Sequence, residues 1–127
     1  MSFQDVQTEP RPDTVAERVA RNDATFRAAN ERIRAFAASI DADDERLLPF
    51  LCECADLQCT TVVRLAAEEY EAIRRDPRRF VNAPEHERNG LGWCRVVHEF
   101  DRYTVVEKIG EAGELAEELD PRTRERS

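Results

Sequence analysis

Apolar residues recur along the first third of the chain at alternating spacings of four and three: Val15, Val19, Phe26, Ala29, Ile33, Phe36 and Ile40, with Asn22 taking one place in the series. That heptad spacing lays all eight on one stripe of a helix. Pro10 and Pro12 precede the pattern, so residues 1–12 read as a flexible lead-in. Asp13 or Thr14 is placed to cap the helix, and Thr14 and Glu17 have capping-box spacing. The expected helix covers 13–41. Its stripe can pack on the core of its own domain. Alternatively, helix 14–40 pairs with a protein partner or a second copy, with Asn22 as the polar residue that sets register.

Past the acidic loop Asp41–Asp44 and Pro49 the period shortens. Phe50–Ala55 and Thr60–Leu65 read as strands flanking the turn Asp56-Leu57-Gln58, hence a hairpin. Ala66–Asp76 is a short helix with Ala66, Tyr70 and Ile73 on one face, stopped by Pro77. Arg79–Ala83 suits a further strand, and Glu85–Gly92 is a charged loop. Trp93–Phe100 and Arg102–Ile109 form a second hairpin turning at Asp101. Glu111–Leu119 is a last helix ended by Asp120-Pro121, leaving 121–127 as a disordered tail. The expected fold is α+β: a long N-terminal amphipathic helix, a small antiparallel sheet of two hairpins, a short middle helix and a C-terminal helix. Residues 13–120 make one domain, with 49–120 as its cysteine-containing core.

Composition narrows the function classes. A chain of 127 residues supports one core. No apolar run reaches the roughly 18 residues of a membrane span. The net charge of −8 opposes binding to phosphate backbones, so no nucleic acid is expected. The first residues lack signal-peptide chemistry, which predicts a cytoplasmic, reducing location and free thiols. Arginine outnumbers lysine 18 to 1, as in GC-rich genomes. Glycines are not grouped as a nucleotide loop requires, and serine is scarce. The arginines Arg74, Arg75, Arg78 and Arg79 read as a solvated face balanced by Glu68, Glu69 and Glu71.

The segment Cys52-Glu53-Cys54-Ala55-Asp56-Leu57-Gln58-Cys59 carries the most chemistry. On an extended chain, residues i and i+2 face the same way, so Cys52 and Cys54 present their sulfurs together and the turn brings Cys59 back to them. Zinc takes four ligands in a tetrahedron and suits soft thiolates. His86, in the loop after the third strand, leads as the fourth ligand; Cys94 and His98 lie within a strand and are alternatives. Two other readings compete. The cysteines can be buried and reduced, although Glu53, Asp56 and Gln58 suggest an exposed turn. They can also form a reversible disulfide in a redox response.

Three further pieces carry a resemblance: Phe50-Leu51-Cys52-Glu53-Cys54-Ala55-Asp56 with Cys59-Thr60; Glu68-Glu69-Tyr70-Glu71 through Pro77-Arg78-Arg79-Phe80 to Ala83-Pro84 and His86-Glu87; and Tyr103-Thr104-Val105-Val106-Glu107-Lys108 through Gly110-Glu111-Ala112 to Asp120-Pro121-Arg122. Over roughly residues 50–122 the chain resembles a family of small actinobacterial proteins with no established activity. The resemblance implies that Cys52, Cys54, Cys59 and His86 act as one set, and it adds no reaction. The chain departs from the pattern at Glu85, where the family has glycine, at Ala66, where it has threonine, and around Asn89–Trp93.

Together these features predict a non-enzymatic regulatory or protein-interaction module with a structural zinc site. A thiol redox regulator and a small enzyme with an unidentified pocket are the alternatives.

Overall fold

The computed structural model describes residues 15–43, 45–54, 56, 58–90 and 92–122. The expected lead-in, the Asp13 or Thr14 cap and residues 123–127 lie outside them. The architecture is α+β, with a long N-terminal helix and two small antiparallel sheets. Helix α1 spans Val15–Ser39, β1 Leu47–Leu51, β2 Val62–Ala66, α2 Ala67–Arg74, β3 Arg79–Asn82, β4 Cys94–Glu99, β5 Thr104–Lys108 and α3 Gly110–Leu119; a 3₁₀ turn covers His86–Gly90. The two hairpins belong to separate sheets. Strands β1 and β2 pair alone, while β5 is central to the order β3-β5-β4.

Helix α1 ends in a Schellman motif. The N–H of Ala42 reaches the carbonyl of Ala37 at 2.9 Å and that of Asp41 the carbonyl of Ala38 at 3.1 Å. Asp41 stands where glycine is usual, at φ 53°. Strand β1 starts earlier than expected and includes Pro49. The N–H of Leu51 points away from β2 to Asn30 Oδ1 at 2.7 Å; Pro49, two residues before, shares that outward side, so its missing N–H breaks no ladder bond. In the three-stranded sheet the register shifts between Val96 and His98, a bulge at Val97.

The core gathers Phe50, Val63, Leu65, Tyr70, Val81 and Val105 between α2 and the sheets. Phe50 and Tyr70 stack with centroids 4.4 Å apart and planes 10° from parallel. On α2, Glu69 Oε1 accepts the N–H of Ala66 at 2.7 Å, the returning half of a capping box; alanine has no oxygen to supply the other half. Helix α3 crosses so close to β5 that a Cβ on Gly113 would sit 2.8 Å from the carbonyl oxygen of Lys108.

The predicted stripe of α1 is not its buried line. The side chains that face the fold are Ala20, Asp23, Arg27, Asn30 and Ala37, each one residue beyond a stripe position, while Phe36 and Ile40 are exposed. Polar groups can occupy this line because each meets a partner. Asp23 pairs with Lys108 Nζ at 2.7 Å. Arg27 donates to the carbonyls of Pro77, at 2.8 Å, and Arg79, and its guanidinium lies 3.6 Å from the centre of the Phe80 ring. Asn30 exchanges two hydrogen bonds with the backbone of Leu51 at 2.7 and 2.9 Å, like a neighbouring strand.

The expected solvated arginine face is corrected at Arg74; Arg75 is exposed and Arg78 and Arg79 half-buried. Arg74 is buried and pairs with Asp120 at 2.5 Å and Glu31 at 3.0 Å, partners that α1 and the end of α3 bring to it. Arg122, beyond the expected domain end at 120, pairs with Glu31 at 2.7 Å and Glu71 at 2.9 Å. Burial alone would raise the Glu31 carboxyl, but hydrogen bonds from Arg122 and Tyr70 and the charge of Arg74 hold it down at about 2. Burial pushes Asp23 up to about 6 in spite of Lys108.

Candidate metal centre

Strand β1 delivers the first two cysteines. Its ladder continues one step past Leu51, as Cys52 N–H bonds Thr61 O at 3.0 Å, so Cys52 and Cys54 lie just beyond the strand and not within it as expected. Asp56 closes the return: its Oδ1 accepts the Gln58 N–H at 2.9 Å and its carbonyl accepts the Cys59 N–H at 3.0 Å, which turns Cys59 toward the pair. The fourth group comes from beyond β3. Glu85, at φ 73°, bends the chain so that the 3₁₀ turn begins on His86.

These segments bring Cys52, Cys54, Cys59 and His86 together, with one ligand atom of each within 4.8 Å of all the others. The sulfurs of Cys52 and Cys59 each stand 3.5 Å from His86 Nδ1. Zinc bonds of about 2.3 Å to sulfur and about 2.0 Å to nitrogen set tetrahedral edges of about 3.5–3.8 Å, so these two distances already match. The widest separations need side-chain adjustments of about 1 Å.

Hydrogen-bond donors point at two of the sulfurs. The N–H of Ala83 points at Cys52 Sγ at 3.1 Å, and Asn89 Nδ2 at Cys54 Sγ at 3.3 Å. His86 and Asn89 are three apart on a 3₁₀ turn, a spacing that stacks side chains on one side. The interaction with Cys52 pulls the Cys54 thiol well below its ordinary range, helped by Asp56 N–H, His86 and Asn89, while the same interaction and burial push Cys52 up. Donors aimed at sulfur are what a metal–thiolate centre uses to hold its ligands.

The sequence expectation of an exposed turn is corrected at Glu53. Cys52, Glu53 and Cys54 are all buried. Facing away from the two sulfurs, the Glu53 carboxylate accepts Asn30 Nδ2 at 2.8 Å and the N–H of Val81 at 3.0 Å, and its own N–H bonds Val81 O at 2.8 Å. It therefore pins the cysteine segment to α1 and to β3, the strand that leads to His86. Asn30, Glu53 and Asn89 are thus positioning residues, a role the sequence reading assigned to none of them. Cys94 stays apart on β4, its sulfur near the Glu87 carbonyl at 3.9 Å, and His98 packs 5.9 Å from Phe100. Neither joins the cluster.

Comparison with protein-family models, curated proteins and solved structures finds no match. No helix among the described residues is long and apolar enough to cross a membrane.

Proposed function

We propose that Cys52, Cys54, Cys59 and His86 hold a structural zinc ion, and that the domain so fastened acts by binding another protein rather than by catalysis. The observation that carries the reading is the convergence of four ligand atoms within 4.8 Å from separate segments of backbone. Three thiolates and one imidazole saturate a tetrahedral ion and leave no position for a reactive water, the mark of a structural site. When bound, zinc ties the end of β1, the following turn and the 3₁₀ turn into one unit.

Chain purified without chelator should contain about one zinc per molecule by elemental analysis. Cobalt(II) in its place should give the intense visible bands of a tetrahedral thiolate site. A folded, metal-free protein that takes up neither ion sinks the reading.

Cys59 is only partly buried, which favours a second role for the same site. Two of its thiolates would pass two electrons to a peroxide, forming an S–S bond while the peroxide takes up two protons and leaves as two waters, and the ion is released. Zinc release that tracks the loss of two thiols checks this; thiols unmoved by peroxide exclude it.

A further inference from the structure

A groove of about 630 Å³ opens where the end of α1 meets the start of β1. Its walls are apolar: Ile33, Phe36 and Ile40 from the helix, Leu47 and Pro49 from the strand. Phe36 is 65% exposed, Ile40 53% and Leu47 43%, far more than side chains of this size retain when a domain covers them.

The rim has the opposite chemistry. Arg32, Arg46 and Arg64 border the groove, and none has an ion pair or a side-chain hydrogen bond among the described residues. Arg75, on another face, is the only other described arginine in that condition. Elsewhere the guanidinium groups are matched, as Arg34 is to Glu71, Arg78 to Glu117 and Arg102 to Glu69. Three unmatched cations around one apolar strip stand out in a chain with 27 acidic and 19 basic residues.

We propose that this groove docks an acidic amphipathic helix of a partner protein, its apolar residues at i, i+3 or i+4, and i+7 filling the strip and its carboxylates meeting Arg32, Arg46 and Arg64. The inference deepens the interaction-module reading and rests on it. A second copy fits less well, since a two-fold contact sets the basic rim against itself between chains of net charge −8. Docking here is structurally separate from the metal: the groove uses the start of β1 and the cysteines follow its end.

The test is a displayed library of helical peptides with leucine fixed along one stripe and the remaining positions drawn equally from Asp, Glu, Lys, Arg, Gln and Ser, panned on the full zinc-assayed chain. Selected peptides should carry several acidic residues for each basic one. Phe36→Asp and the double variant Arg32→Glu/Arg64→Glu should each weaken binding by about 30-fold, the scale of an interface hot spot. Both variants change exposed side chains, and circular dichroism checks that they fold. Peptides without acidic bias, or binders indifferent to both variants, overturn the proposal. So does a dimer in sedimentation that Phe36→Asp dissociates, or tighter association with phosphatidylserine vesicles than with any selected peptide. Acid-selected binding by a zinc-free chain would refute the metal reading alone, and zinc without acidic selection the groove alone.

Discussion

Two fastenings hold the domain together, one at the end of β1 and one among the helices, and they differ in what completes them. At the end of β1, three thiols within eight residues and one imidazole converge closely enough to hold a metal ion. Along α1 and α2 a lattice of Glu31, Tyr70, Arg74, Asp120 and Arg122 joins groups as far as 91 residues apart, and it is satisfied from within the chain. Stability at the first should follow metal supply. At the second it should follow pH and the integrity of every member.

The sharpest way to separate them is to empty the first. Chelation of the zinc-loaded chain should lower its melting temperature on the order of 10 °C or more, and Cys54→Ser should do the same while becoming insensitive to chelator. Equal melting with and without chelator in the native chain would place the cluster outside the stability of the fold.

Breaking the second comes next. Arg74→Met removes the two-point partner of Asp120, leaving it Arg27 at 4.0 Å, and one of the three partners of Glu31, and should cost roughly 3 kcal/mol in denaturant unfolding. Asp120→Asn added to Arg74→Met should cost much less than it does alone, because the lattice acts as a unit; strict additivity would contradict that.

A milder variant tests the pH link. The folded pKa of Glu31, about 2, lies below its ordinary 4.5, so the unfolded chain takes up the proton first on acidification. Its contribution is therefore complete above pH 4.5 and lost as pH falls to about 2. Allowing for its partial exposure, Glu31→Gln should cost on the order of 2 kcal/mol at neutral pH, and the gap to the native chain should close across that window.

The smallest effect runs the other way. Glu85 holds φ at 73°, a region that favours glycine. Glu85→Gly should stabilise by about 1 kcal/mol and leave zinc stoichiometry unchanged. A loss of stability would mean that the Glu85 side chain contributes more than its backbone costs.

The two fastenings were unequally legible. Cys52, Cys54 and Cys59 announce themselves because their geometry is local: alternation and one turn suffice to aim three sulfurs, and only His86 has to be brought from another element. Hairpin pairing was legible for the same reason, as were the limits of the helices after residue 60. Glu53 was misread because its polar neighbours suggest water, while its actual partners, Asn30 and Val81, lie 23 and 28 residues away. The face of α1 was missed in a similar way. Its buried line runs one residue beyond the apolar stripe, and Asp23, Arg27 and Asn30 give no hydrophobic signal until their distant partners are in place. Hydropathy reports on side chains that need only the exclusion of water; it is silent on those that need a particular neighbour.

The pairing of Lys108 with Asp23 has a practical side. Lys108 is the single lysine of the chain, and the folded domain covers its amine almost completely. Acylating reagents therefore find no side-chain amine on the native surface, and acetylation or cross-linking at Lys108 must wait for the sheet to open. Labelling of that one residue would report opening of the domain directly, with no background from other lysines to subtract.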